Sequence, residues 1–423
     1  MRRSNPISLS LLALVTAGCV ADQGFDTTLD AGSVQIAPAG PEPVGPASPE
    51  PVPPAGSDAA SALPTRGPVL PTPLGDWPQK GRLAGNAGAT DVRIPDNPVI
   101  EWQAQLPGDA AYTAPVVGNG RIYFLLYGAG VAALDLATGN LLWQNQQVWG
   151  GKNRAPTYAE GRLYVPTENR SSAGSKDSSA ATIVALDAAT GELLWRGTES
   201  ATAIRELGGD IYFIDAGGQV HCLDGATGAE RWSASLGCDV GLALDGETGF
   251  CLTSELIGFD RHSGYQRFAV SRGSGFNFSE LAVADGRVYY QSDEMLYARS
   301  AKDGSVLWSV AVEFSPVTNG TIDTSPAVLG DRIFVATQSR LRSFTTAGNL
   351  LWSVPAPADR NPGSVEVAGN RVLLGGSAMF DADSGRALWT APAGLPVLST
   401  PPIVEGHFYT NEGSRVYAWG GPL

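Results

Sequence analysis

The eleven residues from Ala133 to Trp143, ALDLATGNLLW, return as ALDAATGELLW from Ala185 to Trp195 and as CLDGATGAERW from Cys222 to Trp232. Weaker copies run GFDRHSGYQRF from Gly258 to Phe268, ARSAKDGSVLW to Trp308, SFTTAGNLLW to Trp352 and MFDADSGRALW to Trp389. With Trp102 of NPVIEW, the closing aromatic falls at Trp102, Trp143, Trp195, Trp232, Phe268, Trp308, Trp352 and Trp389, a mean spacing of 41 residues. A chain that rewrites one unit at that period builds a repeat architecture from small units, none of which buries its own faces.

Each unit also carries an alternating run behind a turn, as in GNGRIYFLL from Gly118, AEGRLYVPT from Ala159, ADGRVYYQS from Ala284 and VEGHFYTNE from Val404. β-Branched and aromatic residues behind Gly, Asp and Asn are the mark of hairpin strands. A short run precedes many of them, as in YTAPVVG and DTSPAVLG, so a unit reads as four short strands. The last two are joined by Asp-x-x-Thr-Gly. There Gly139, Gly191 and Gly228 supply positive φ, while Asp135, Asp187 and Asp224 bond amides of the turn.

Four strands repeated eight times predict an all-β fold, an eight-bladed β-propeller of antiparallel blades. The eight aromatics are expected as structural docking residues filling the gaps between blades, not as sugar-stacking platforms. The chain ends in PPIVEGHFYTNEGSRVYAWGGPL, three strands without a fourth. The missing strand is expected at the front of the domain, around Pro98 to Gln105, so that the N-terminal strand closes the last blade and no lone edge remains.

Ahead of the repeats, residues 1–18 begin with Arg2 and Arg3 and continue with an apolar run from Ile7 to Val15, too short to span a bilayer. Thr16-Ala17-Gly18-Cys19 follows and resembles the bacterial lipoprotein signal, which implies lipidation of Cys19. The lipoprotein pattern has Leu where Thr16 stands, which leaves ordinary cleavage near Ala17 or Ala21 as the alternative. Val20 after the cysteine favours sorting to the outer membrane. Residues 19–73 are rich in Pro, Ala, Gly and acids and read as a disordered tether; the propeller is assigned to 74–423.

The unit Ala-x-Asp-x-x-Thr-Gly-x-x-x-Trp resembles the pyrroloquinoline-quinone-like repeat family from about Asp76 to Gly420. DWPQKGRLAGNAGAT, from Asp76 to Thr90, is similar to the lead-in of exported propellers in that superfamily. The resemblance implies two opposed roles. One branch comprises dehydrogenases that use the quinone, a calcium ion held by Glu, Asn and Asp, and often adjacent cysteines; here no two cysteines adjoin. The string DADSGR at Asp381 puts Gly385 fifth, where an EF-hand loop has it sixth, and coincides with the repeat turn. The other branch is the propeller lipoprotein of the outer-membrane β-barrel assembly machinery, a scaffold. A third group comprises envelope propellers of unknown role, and the long tether favours it.

Composition narrows the choice. Twenty-eight Lys plus Arg against 42 Asp plus Glu give a net charge of −14, which argues against nucleic acid. His221, His262 and His407 stand alone in their repeats, and no zinc, haem, nucleophile-elbow or P-loop spacing occurs. Cys222, Cys238 and Cys251 allow three pairings. Counted back from the turn at Asp245–Thr248, Cys251 falls opposite Leu242, so buried thiols are expected rather than a Cys238–Cys251 bridge. The sequence therefore predicts a monomeric, non-catalytic, lipid-anchored protein of the bacterial envelope. It holds a protein partner, uses no cofactor or metal, and touches membrane only through its lipid. The insertion Thr167 to Ala180 is its candidate contact loop, and a glycan-binding propeller is a further alternative.

Overall fold

The computed structural model describes residues 76–423, less 84, 111–113, 128, 149–154, 168–181, 200, 202–203, 274–278, 293, 313–324, 338, 358–363, 393–394 and 396–399. The expected signal segment, Cys19 and tether lie outside the described residues, as does the insertion beyond Thr167. Eight four-stranded antiparallel blades follow one another around an axis, and the described residues contain no helix. Blades 1 to 7 span Val116–Asn145, Thr157–Arg196, Ile204–Ser235, Val240–Ser271, Ala282–Ala311, Ala327–Pro355 and Val365–Thr390. Blade 8 takes three strands from Ile403–Gly420 and its outermost from Val99–Gln105, with Val99 opposite Gly420 and Gln105 opposite Arg415. The ring closes as the sequence predicts.

The runs that read as alternating in sequence are buried on both faces. In Arg121–Leu126, Tyr123 and Leu125 pack with Leu163 and Val184 of blade 2, whereas Ile122 and Phe124 pack with Phe408 and Val416 of blade 8. Period-two pleating thus feeds two separate cores, so middle strands need apolar residues at nearly every position.

The outermost strand is built differently. In all eight blades the register slips one residue before the repeat aromatic; Leu134 faces Leu141, Ala133 faces Trp143, and Leu142 between them is the extra residue. Such a bulge bends the strand and re-aims the next side chain. The ring of Trp143 lies against the turn of blade 2, where a Cβ on Gly191 would stand 2.5 Å from it. Its Nε1 donates to Ala188 O at 3.1 Å. The same contact recurs from Trp102 to Gly139, Trp195 to Gly228, Trp232 to Gly264, Phe268 to Gly304, Trp308 to Gly348 and Trp352 to Gly385. Each of these glycines has positive φ, and Asp135, Asp187 and Asp224 accept bonds from the amide and hydroxyl of the turn's Thr. The eight aromatics are half-buried rather than buried. Trp389 meets no such turn, since blade 8 takes its outer strand from the N-terminal side. It packs on Trp419 and Phe408, with centroids at 5.1 and 5.8 Å.

One expectation fails. Cys238 and Cys251 form a disulfide with Cα atoms 5.8 Å apart. Counting back from the Asp245–Thr248 turn assumed a regular hairpin, but the register shifts between Val240 and Ala243, where Gly241 takes φ +73°. Cys238 stands ahead of the strand Val240–Asp245, with its N–H on Gly218 O of blade 3, and so lies beside Cys251 in the core between blades 3 and 4. Closing a loop of 13 residues this way stabilises the fold by about 3 kcal/mol. Cys222 keeps its thiol in the same core.

Two outcomes follow from ring closure and blade docking. Deleting Arg415–Leu423 removes the partner of Val99–Gln105 and should lower the melting temperature of the whole domain, in calorimetry, by 10 °C or more, on the order of several kcal/mol; unchanged melting would mean that the ring does not depend on this pairing. Trp143→Ala should cost about 2–4 kcal/mol and Gly191→Ala about 1–3 kcal/mol by denaturant titration. The double variant should cost clearly less than their sum, because the methyl clashes with the ring that the first change removes.

Candidate functional site

The two faces of the ring are unequal. On one, the first and second strands of every blade are joined by two residues, as at Asn119–Gly120. On the other lie the blade connectors, from four residues between Ser235 and Val240 to fifteen between Ala311 and Ala327. Loops of such varied length are where a repeat scaffold carries its specificity. The blade 2 insertion emerges on this connector face. Its base is fixed by Thr167, whose N–H donates to Thr182 O at 2.7 Å and whose hydroxyl lies 3.0 Å from that of Thr182.

Towards the axis, the lead-in runs along the inner edges of the blades. Asp76 accepts from Asn119 N at 3.0 Å beside the two-residue turn of blade 1, and the lead-in then coils past one blade after another. Innermost strands have an unpaired inner edge. Here Val117 donates to Trp77 O, Tyr158 to Pro78 O and Glu206 to the Gln79 side chain. After a turn, Val283 donates to Gly85 O, Val328 to Ala87 O and Val367 to Gly88 O. In all six blades the donor is the residue next to the last of the innermost strand, so the coil advances by register. Trp77 is fully buried, and Ala89–Thr90 finish as a parallel strand on blade 7.

Charges collect where the coil turns. Lys80 Nζ meets Glu280 Oε1 at 2.9 Å, and Asn86 Nδ2 lies 3.2 Å from Glu280 Oε2, 2.9 Å from Leu281 O and 3.0 Å from Ser325 Oγ. Arg205 Nη2 approaches Glu280 Oε2 at 3.9 Å, while Arg205 Nε donates to Leu242 O. Burial alone would raise Glu280, but Lys80 and then Arg205 outweigh it and hold the carboxyl down at about 2. Burial lowers the Arg205 guanidinium, against the pull of Glu280. Glu366 on blade 7 is 1% exposed, and burial pushes its carboxyl up to about 8 despite the nearby Ser364 and Lys80. The cluster is an ion-pair hub that seats the lead-in.

The aromatics singled out by the sequence stand at the rim, away from the lead-in. Six of the seven repeat tryptophans, Trp102, Trp143, Trp195, Trp232, Trp308 and Trp352, donate Nε1 to a backbone carbonyl of the next blade and lay a face on its turn. The histidines are scattered, with His221 between Glu230 and Asp215, His262 on Glu247 and His407 on Glu101. Asp381 of the calcium-like string accepts from Ser384 within its turn. Lys80, Asn86, Arg205, Glu280 and Glu366 were missed. Their one sequence signal is a charged residue inside an innermost strand, IREL in blade 3 and VEVA in blade 7, where other blades write VVG or AVL.

Glu280→Gln should destabilise the domain by about 1–2 kcal/mol near neutral pH, because Lys80 and Arg205 lose their counter-charge. A carboxyl held down near 2 adds stability above its ordinary value of 4.5 and loses it as pH falls through that window. The gap between wild type and variant in denaturant titrations should therefore shrink from pH 6 to pH 3.

Comparisons with known proteins agree with this geometry. The sequence profile described as outer membrane protein assembly factor BamB matches residues 99–239 and 179–420. Among solved structures, BamB from Moraxella catarrhalis superposes with a TM-score of 0.58 at 16% identity, covering 77% of this chain and 100% of that one. The quinohemoprotein alcohol dehydrogenase from Comamonas testosteroni superposes at 0.62 with 15% identity, covering 82% of this chain and 81% of that one. At such identities the likeness concerns fold. A tetrathionate hydrolase from Acidithiobacillus ferrooxidans is 28% identical over 134 residues, 31% of this chain and 24% of the hydrolase, so the match spans about a quarter of that relative. On the extent of the profile match, this chain belongs to the PQQ-like propeller family described as outer membrane protein assembly factor BamB.

Proposed function

We propose that this propeller is a non-catalytic scaffold of the bacterial envelope, anchored through a lipid on Cys19, that holds a protein partner in outer-membrane protein assembly. The observation that carries the reading is the family match across the ring, together with a lead-in that lines the inner edges of six blades. Against a quinone and its calcium ion stands the engagement of the hub carboxylates: Glu280 is held by Lys80, Arg205 and Asn86, and Glu366 lies buried. Recognition then falls to the connector face, with the insertion after Thr167 as the contact loop. The Cys238–Cys251 disulfide suits an oxidising compartment.

Crosslinking in intact envelopes followed by capture of the full chain should recover components of β-barrel assembly. Recovery of none, together with saturable quenching of tryptophan emission by pyrroloquinoline quinone with calcium and dye-linked turnover, would replace the scaffold with an oxidoreductase. Retention on cell-wall polysaccharide instead would favour a glycan binder. Cys19→Ser should move the protein from the membrane to the soluble fraction, and continued membrane retention would count against the anchor.

A further inference from the structure

Three blades carry a polar residue two places before the last of the innermost strand: Thr157 before Ala159, Arg205 before Leu207 and Glu366 before Ala368. The other five have Val, Ala or Pro there. Thr157 Oγ1 donates to Ile204 O at 3.4 Å, and Arg205 Nε donates to Leu242 O at 3.0 Å. Both acceptors occupy one place on the following blade, three before the last residue of its innermost strand. In blade 5 the equivalent carbonyl, Leu281 O, is met by Asn86 of the lead-in. A side-chain donor into that carbonyl is a recurring tie between neighbouring blades near the axis.

The equivalent acceptor after Glu366 is the carbonyl of Pro401, three before Val404 of the closing blade. Glu366 is 1% exposed, and its Oε2 has no hydrogen-bond partner. We propose that Glu366 keeps its proton and donates it to the Pro401 carbonyl, a proton-dependent tie between blade 7 and the blade that closes the ring. A carboxylate could not make that bond, since it only accepts.

Burial favours the neutral form and outweighs the neighbouring Ser364 hydroxyl, which favours the charged one. The innermost strand of blade 8, Ile403–Val404, and the prolines before it carry no titratable side chain. On the second strand of that blade, His407 turns to Glu101, Tyr409 packs near Trp102, and Glu412 sits at the connector end opposite Arg415. On blade 7, Arg371 pairs with Asp96 and Asp381. From the lead-in only Lys80 acts on Glu366, and its ammonium is already bound to Glu280. A group that binds its proton more tightly folded than unfolded lends stability that is full below its unfolded value of 4.5 and is lost as pH rises through about 8.

The test compares the full chain with Glu366→Gln, which keeps an amide donor and removes the titration. The melting temperature of wild type should fall from pH 6 to pH 9 relative to the variant, and the variant should melt higher at pH 9. Parallel curves would overturn the tie. Infrared difference spectra of wild type against the variant should show a protonated-carboxyl band at pH 6 that fades towards pH 9; its absence at pH 6 would overturn it without depending on how well the variant folds. Hydrogen exchange, corrected for its intrinsic pH dependence, should quicken above pH 8 in blades 7 and 8 of wild type only. Equal quickening in all blades would place the proton's effect elsewhere.

Discussion

An indole lying on a glycine turn sets the geometry of the ring. Each blade is a twisted sheet whose two faces are apolar, and nothing in one blade fixes the angle to the next. The aromatic of one outer strand, received by a turn without a Cβ, fixes it, and the indole N–H closes the contact on a backbone carbonyl. Because the contact repeats from Trp102 through Trp352, successive blades dock in the same way, and the eighth brings the chain back to its start. At the one junction without a receiving turn, Trp389 finds Trp419 and Phe408 instead, so the seam is sealed by rings rather than by a loop.

Much of this was legible because it is local. The spacing of aromatics, the Asp-x-x-Thr-Gly turn and the missing fourth strand are all patterns within a few residues of one another, and they fixed blade number and closure. The bulge before each aromatic was not legible. LLW reads as part of an apolar strand, and only the paired register shows that Leu142 is surplus and that the surplus aims Trp143 sideways. The same blindness misplaced Cys238. Counting along a hairpin is sound only within it, and Cys238 stands ahead of Val240, where the chain bonds Gly218 of blade 3.

The axial hub was hidden for a different reason. Lys80 and Glu280 stand 200 residues apart, and neither belongs to a motif. What brings them together is a register rule, one lead-in carbonyl or side chain per inner edge, that exists only once the ring has formed. The innermost strands did carry a trace, Arg205 and Glu366 among apolar neighbours, yet a lone charge in a strand does not say which way it faces. The lead-in had been recognised by resemblance alone, and its physical task, satisfying the inner edge of six blades, follows from the hydrogen bonds.

The route of that segment gives the disc a front and a back. Asp76 joins the ring beside the two-residue turn of blade 1, and Thr90 leaves along blade 7 towards the same side. Both ends of the coil therefore open on the face of short, uniform turns. The opposite face, with its unequal connectors, is thus left clear of both ends of the coil.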